Sequence, residues 1–170
     1  ILFFFFFYTF SCLLYATNIR VIDLNSVIDN HKNLKELLIN IEKDQIIHRE
    51  NFKKTELSLE SMLTKLDDLK LILESSEFDK EINQYNQELN SFNNQINEFN
   101  LHYENQINVL KSKILEKTLD ILKKYSSNNQ IDLILDSNNY ILSSNSINIT
   151  SEILDKINKI NFDISFEKYK

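Results

Sequence analysis

FDKEINQYNQELNSFNNQINEFNLHY, residues 78–103, sets Phe78, Tyr85, Phe92 and Phe99 seven residues apart, with Ile82, Leu89, Ile96 and Tyr103 each four further on. Alternating steps of four and three average 3.5 residues, so one stripe keeps facing a partner helix over many turns, as in a coiled-coil seam. A second stripe precedes it: Val27, His31, Leu34, Leu38, Ile41, Gln45, His48, Phe52, Thr55, Leu59, Met62, Leu66, Leu69 and Leu73. Between them lies only the polar Glu74-Ser75-Ser76-Glu77, with a Ser placed to cap a new helix. Each stripe implies a helix near fifty residues, about 70 Å at 1.5 Å per residue, too long for the core of a compact domain. The short break predicts that the two fold back antiparallel as a hairpin over 27–125, tip near 74–77, with Phe78 opposite Leu73 and Phe99 opposite Phe52.

After Tyr103 an extra step of four leads to Ile107, a stutter that locally unwinds the supercoil before Leu110, Ile114 and Ile121 continue toward Tyr125. Gln45 and His48 fall across from it. The coincidence predicts either a flexible waist midway along the rod or polar seam positions that merely specify register. Beside the seam lie Ile46, Ile47, Leu57, Leu63, Ile72, Leu101 and Val109, which a two-helix seam does not need. They either pack a third element or present a weakly apolar face to a client polypeptide.

The flanks read differently. Residues 19–24 (IRVIDL) and 131–136 (IDLILD) are short, β-branched and nearly alternating, so both read as strands. Asn138-Asn139 supplies a glycine-free turn after which 140–143 can return as a paired strand. Ile147-Asn148-Ile149 reads as extended, and Thr150 or Ser151 can cap a last helix carrying Ile153, Leu154 and Ile157. So small a sheet is marginal alone. It is expected to complete itself by oligomerising, with Ile19, Val21, Ile22, Leu24, Ile131, Leu133 and Leu135 as the body residues. The expected fold class is therefore mainly α with a small β body: residues 17–26 and 127–159 form that body with its terminal helix, and 160–170 are a tail with alternating apolar positions and no assigned role.

Residues 1–16 are uncharged and almost wholly apolar, with Phe3 through Phe7 unbroken and Ala16 as a small residue where a peptidase could cut. They read as a secretory signal sequence cleaved near Ala16, an uncleaved anchor or a buried helix being the alternatives. Cys12, the sole cysteine, lies inside this segment, so a processed chain would carry no thiol into an oxidising compartment. Thr9, Phe10 and Ser11 before it argue against lipidation.

Composition removes several function classes. The 170 residues include no glycine and no proline, so phosphate cradles, nucleophile elbows and dinucleotide fingerprints cannot be built. An AT-rich coding bias and an all-helical architecture each account for that absence. A net charge of −6 and the lack of a basic run argue against nucleic acid as a partner. The three histidines, His31, His48 and His102, offer no metal spacing, and with no Cys/His pair the reading is non-enzymatic, without cofactor or metal.

The order of parts completes the picture: leader, Val21-Ile22-Asp23 strand, heptad hairpin, Ile131-Asp132-Leu133-Ile134-Leu135-Asp136 strand, and Asn148-Ile149-Thr150 opening a terminal helix. Over about residues 17–159 the chain resembles the Skp/OmpH family of periplasmic chaperones. That resemblance implies a homotrimer whose strands form a shared body and whose three hairpins project as tentacles. It also implies that unfolded outer-membrane β-barrel proteins are held in the enclosed cavity without ATP. A passive coiled-coil scaffold or spacer in the cell envelope is the competing expectation. The tip is acidic here, Asp67, Asp68, Glu74, Glu77, Asp79 and Glu81 outnumbering Lys65, Lys70 and Lys80, which argues against contact with lipopolysaccharide or anionic lipid. Asn129-Gln130 stands where the family often has a glycine before the second strand.

Overall fold

The computed structural model describes residues 17–163 and 166–170. The expected leader and Cys12 lie outside the described residues. What is described is mainly helical, with a small sheet at one end. Strand β1 (Ile19–Ile22) is followed by helix α1 (Leu24–Asp29), then by the two long helices α2 (Lys32–Leu69) and α3 (Ser75–Asn128). Strand β2 (Leu133–Asp136) and helix α4 (Thr150–Ile157) follow.

The hairpin forms for the reasons its seam supplies. Leu34, Ile41, Leu59 and Leu66 of α2 are buried, and Phe99, Tyr103, Leu110 and Ile114 answer from α3. The expected register is present, with the Phe52 and Phe99 rings 5.0 Å apart edge to face. The helices are unequal, however. At 38 residues α2 is about 57 Å long and at 54 residues α3 about 81 Å. The difference lies at the body end, where the first stripe breaks at Asn30 and His31.

His31 continues the seam spacing in sequence but works as the N-cap of α2. Its Nδ1 accepts the Asn33 N–H (3.2 Å), and its Nε2, 3.3 Å from the Ile157 carbonyl oxygen, donates to it. Both ring nitrogens of the neutral imidazole are thereby used, and the ring is fully buried with the Phe162 ring against it, 5.1 Å away. Burial pushes its pKa below the usual value; the Ile157 carbonyl works the other way and the Lys32 charge adds to burial. An unfolded His31 therefore takes up its proton at higher pH than the folded one. The stability from neutral His31 is complete above about pH 6.5 and is lost as pH falls toward the folded pKa. Thermal melts between pH 7.5 and 5 should fall more steeply for the wild type than for His31→Asn, which keeps a capping side chain but does not titrate. Parallel slopes would show that His31 carries none of the acid sensitivity.

At the body, Leu24 departs from its expected place in the strand. Asp23 ends the strand because its Oδ1 accepts the Ser26 N–H (2.8 Å), capping α1 and turning Leu24 into a helical residue. β1 and β2 pair in parallel, Ile19 opposite Leu133 and Ile22 opposite Asp136, with the whole hairpin as the crossover between them. On the far side of β1, the Ile149 N–H donates to the Val21 carbonyl (2.9 Å). The outer edge of β2 has no strand partner among the described residues. Asp136 ties the body together. Burial works against its ionisation, but N–H donation from Leu24 (3.0 Å) and Asn138 holds its carboxyl below the usual range.

Two further details differ from expectation or refine it. Residues 140–143 do not pair as a strand: the Asp136 side chain caps a 3-10 turn at Ser137–Asn139, and the chain leaves it without reversing onto β2. Gln130 takes the left-handed φ of 51° after α3, where glycine is the usual occupant. The Ile131 N–H bonds back to the Ser126 carbonyl (3.0 Å) and the Ser126 hydroxyl donates to the Ile131 carbonyl (2.9 Å), so the turn is held without glycine. Helix α4 then closes the body with fully buried Ile153 and Ile157.

Candidate functional site

The shaft carries more apolar surface than its seam conceals. All seven flanking residues, Ile46, Ile47, Leu57, Leu63, Ile72, Leu101 and Val109, are between 47% and 78% exposed on the protomer. Among the described residues no third element buries any of the seven. Ile46 and Leu57, eleven residues apart on α2, fall within about 20° on the helix wheel, and Ile39 continues the same line. Leu38 and Ile39 are exposed as well, and at the tip Leu71 is 90% exposed. The residues of the turn at the tip are too few to bury one another, so this apolar surface faces solvent.

The body residues divide. Val21, Ile22 and Ile131 are buried within the protomer; Ile19, Leu24 and Leu135 are half-buried, and Leu133 is exposed. Beyond β2, Ile141 is the most open large apolar side chain described, at 105%, and Leu142 beside it is 89% exposed. A cleft in the same body is lined by Ile22, Leu24, Leu119, Leu122 and Ile134, with Lys123, Ser126, Ser127, Asp136 and Asn139 on its polar side.

The polar midshaft is not left vacant. Asp44, one position before Gln45, is buried in α2 and accepts a hydrogen bond from the Tyr103 hydroxyl. Burial first, and then the Asp44 carboxylate, push the Tyr103 phenol up to about 12. Phe99 sits below, its ring 5.1 Å from Tyr103 and 5.5 Å from His48. The C-terminal tail arrives here: Tyr169 packs its ring 5.3 Å from Phe99, 5.4 Å from His48 and 5.6 Å from His102.

Along its route the tail is held mainly through its backbone. Asn33 Oδ1 accepts the Phe162 N–H (3.4 Å), and Asp44 Oδ2 accepts the Tyr169 N–H (3.2 Å). Gln106 grips residue 167 twice, its Oε1 accepting the Glu167 N–H and its Nε2 donating to the Glu167 carbonyl, both at 2.9 Å. His102 Nε2 lies 2.8 Å from the same carbonyl oxygen. Sequence reasoning missed Asn33, Asp44, His102 and Gln106 as a group. The only signal was the period-two alternation of the tail itself, which marks an extended strand in need of a surface.

Among the described residues no three His, Cys, Asp or Glu side chains are grouped to hold a metal ion, and no helix is long and apolar enough to cross a membrane. The surface can offer apolar contact and hydrogen bonds to extended backbone.

Comparison with known proteins agrees with this architecture. No curated protein matches the sequence. Among solved structures, a candidate OmpH-like outer membrane chaperone from Caulobacter crescentus superposes with a TM-score of 0.62, covering 88% of this chain and 90% of that one. Identity is 10%, so the likeness is one of fold. A family model described as "Outer membrane protein (OmpH-like)" matches residues 18–157, from the residue before β1 to the last residue of α4. The chain is thus a member of the OmpH-like outer membrane protein family.

Proposed function

We propose that the protein is an ATP-independent holdase that keeps unfolded outer-membrane β-barrel proteins soluble in the periplasm, working as a homotrimer. The observation that carries this reading is the apolar surface along a two-helix shaft, which the protomer cannot bury in itself. Weak apolar contacts repeated along three such shafts would hold a chain without fixing its sequence, and charge would tune encounter more than affinity. The family membership and the likeness to the Caulobacter protein support a chaperone role. Export by the leader at residues 1–16 belongs to the same proposal.

Features of the body support trimerisation. The open Ile141 and Leu142 of one protomer would fill the cleft around Leu24, Leu119 and Ile134 of the next, a head-to-tail contact that closes into a ring. The acidic tips argue against binding to anionic lipid or lipopolysaccharide.

The test is light scattering from a denatured outer-membrane β-barrel protein diluted into buffer. Near-stoichiometric protein is expected to suppress aggregation. Replacing Ile46, Ile47, Leu57 and Leu63 together by Ser should weaken suppression several-fold while leaving the thermal melt nearly unchanged, since these side chains are already in water. Undiminished aggregation in the presence of a confirmed trimer would favour a passive scaffold or spacer in the cell envelope.

A further inference from the structure

The tail lies beyond the family match, which ends at residue 157, and it is held in a way that ignores most of its own sequence. Asn33, Asp44 and Gln106 bond to main-chain N–H and C=O groups, which every residue but proline carries in full. The side chains that face the shaft are apolar or aromatic: Phe162, Phe166 and Tyr169 are half-buried against the hairpin core. Clefts lie between the shaft and the described part of the tail: one of about 230 Å³ is lined by Leu37, Gln106, Val109 and Leu110 with Asp163 and Glu167 of the tail, and another of about 270 Å³ by Asn33, Glu36 and Asn40 with Phe162 and Phe166.

The tail sequence has a character of its own. Ile160, Phe162, Ile164 and Phe166 alternate with Asn161, Asp163, Ser165 and Glu167. One apolar and one polar face at period two is the pattern of a strand in a membrane-embedded β-barrel. The chain therefore carries, on its own shaft, a segment with the chemistry of the polypeptides it is read as holding.

We propose that the groove between α2 and α3, from Asn33 to Asp44 on one side and at His102 and Gln106 on the other, is a binding site for an extended amphipathic strand of an unfolded β-barrel protein, occupied in cis by the C-terminal tail until a client strand displaces it. This rests on the holding function proposed above. Backbone bonds at residues 162, 167 and 169 give affinity without sequence demand, and Phe162, Phe166 and Tyr169 pack apolar surface against the hairpin core. A tethered tail competes at an effective concentration on the order of millimolar. An isolated strand is thus kept out, whereas a long unfolded chain that also touches Ile46, Leu57 and Leu63 outcompetes it through many contacts.

The test uses a fluorescent synthetic peptide of residues 160–170 as the probe, and three forms of the protein: the whole chain, one lacking residues 166–170, and the full-length double variant Phe166→Ser/Tyr169→Ser. Hydrogen exchange on α2 and α3 confirms that each form is folded. The probe should bind the shortened and doubly substituted forms at least about tenfold more tightly than the whole chain, and an unfolded β-barrel protein should then drive it off. Equal binding to all three folded forms would overturn the proposal. So would a probe that stays bound while the client is held, and in that case the holding function itself stands. A client held by none of the forms, with the probe binding as expected, would overturn the holding function and the proposal with it.

Discussion

Phe99→Ala is expected to cost the hairpin about 3–5 kcal/mol, the range for removing a buried phenylalanine. Phe99 is 4% exposed and its ring stands at 5.0 Å from Phe52, 5.1 Å from Tyr103 and 5.3 Å from Tyr169. Each such edge-to-face pair adds about 0.5–1.5 kcal/mol beyond burial, so one truncation removes several at once. The site also has little means of collapsing, because Phe52 and Tyr103 are fixed on separate helices. Beyond Phe99 the α3 side of the seam is thinner: Phe92, Leu89, Tyr85, Ile82 and Phe78 are only half-buried, with Leu59 and Leu66 the buried residues opposite on α2. Hydrogen exchange should therefore show protection lost from residue 52 to residue 99 around the tip, while the body keeps its own. Tyr85→Ala, cut from the half-buried stretch, should cost clearly less. Equal losses from Phe99 and Tyr85 would mean that the midshaft cluster is not what holds the hairpin closed.

Replacing both Ile141 and Leu142 with Asp is expected to abolish assembly without loosening the protomer. Neither side chain is covered by its own chain, so intramolecular stability has nothing to lose from the change. Burying an Ile or Leu is worth about 1.5–3 kcal/mol, so each subunit contact would lose about 3–6 kcal/mol, and the carboxylates would be stranded against the cleft's apolar residues. That corresponds to roughly 100-fold to 20,000-fold in association at each contact, enough to turn a trimer into monomers at micromolar concentration. Sedimentation velocity checks it. A variant that sediments as the wild type, with unchanged thermal melt, would place the subunit contact elsewhere in the body.

The parts legible in sequence were those governed by a period. Seven-residue spacing from Phe78 to Phe99 set the hairpin and its register so firmly that the Phe52–Phe99 contact could be named in advance. Its limits were visible where two roles share one spacing. His31 fits the seam, and only the Ile157 carbonyl and the Asn33 N–H, which meet it in three dimensions, make it a cap. At residues 140–143, strand propensity lost to a local side-chain bond, the Asp136 carboxylate reaching Asn138 and fixing a 3-10 turn. The tail groove was least legible. Its polar contributors lie on two helices that run in opposite directions, Asn33 and Asp44 on α2 and His102 and Gln106 on α3. No linear pattern connects them, and individually each reads as an ordinary polar residue of a solvated helix. The alternation of the tail could be seen, but not the surface that receives it.

The holding reading also changes what the polar midshaft means. A seam with Gln45 and His48 reads in isolation as a weak point. In the folded chain Asp44, Tyr103 and Tyr169 meet there in one hydrogen-bonded and aromatic cluster. If the tail leaves as proposed above, Tyr169 takes with it its ring contacts to Phe99, His48 and His102 and its backbone bond to Asp44.

Native mass measurement of the purified protein, alone and after dilution of an unfolded outer-membrane β-barrel protein into it, addresses the whole account at once. A mass of three protomers, rising by one client polypeptide when the client is added, is the predicted result. A monomer in both samples, or a trimer whose mass never rises while the client aggregates beside it, would contradict the claim that these hairpins stand on a common base to enclose another chain.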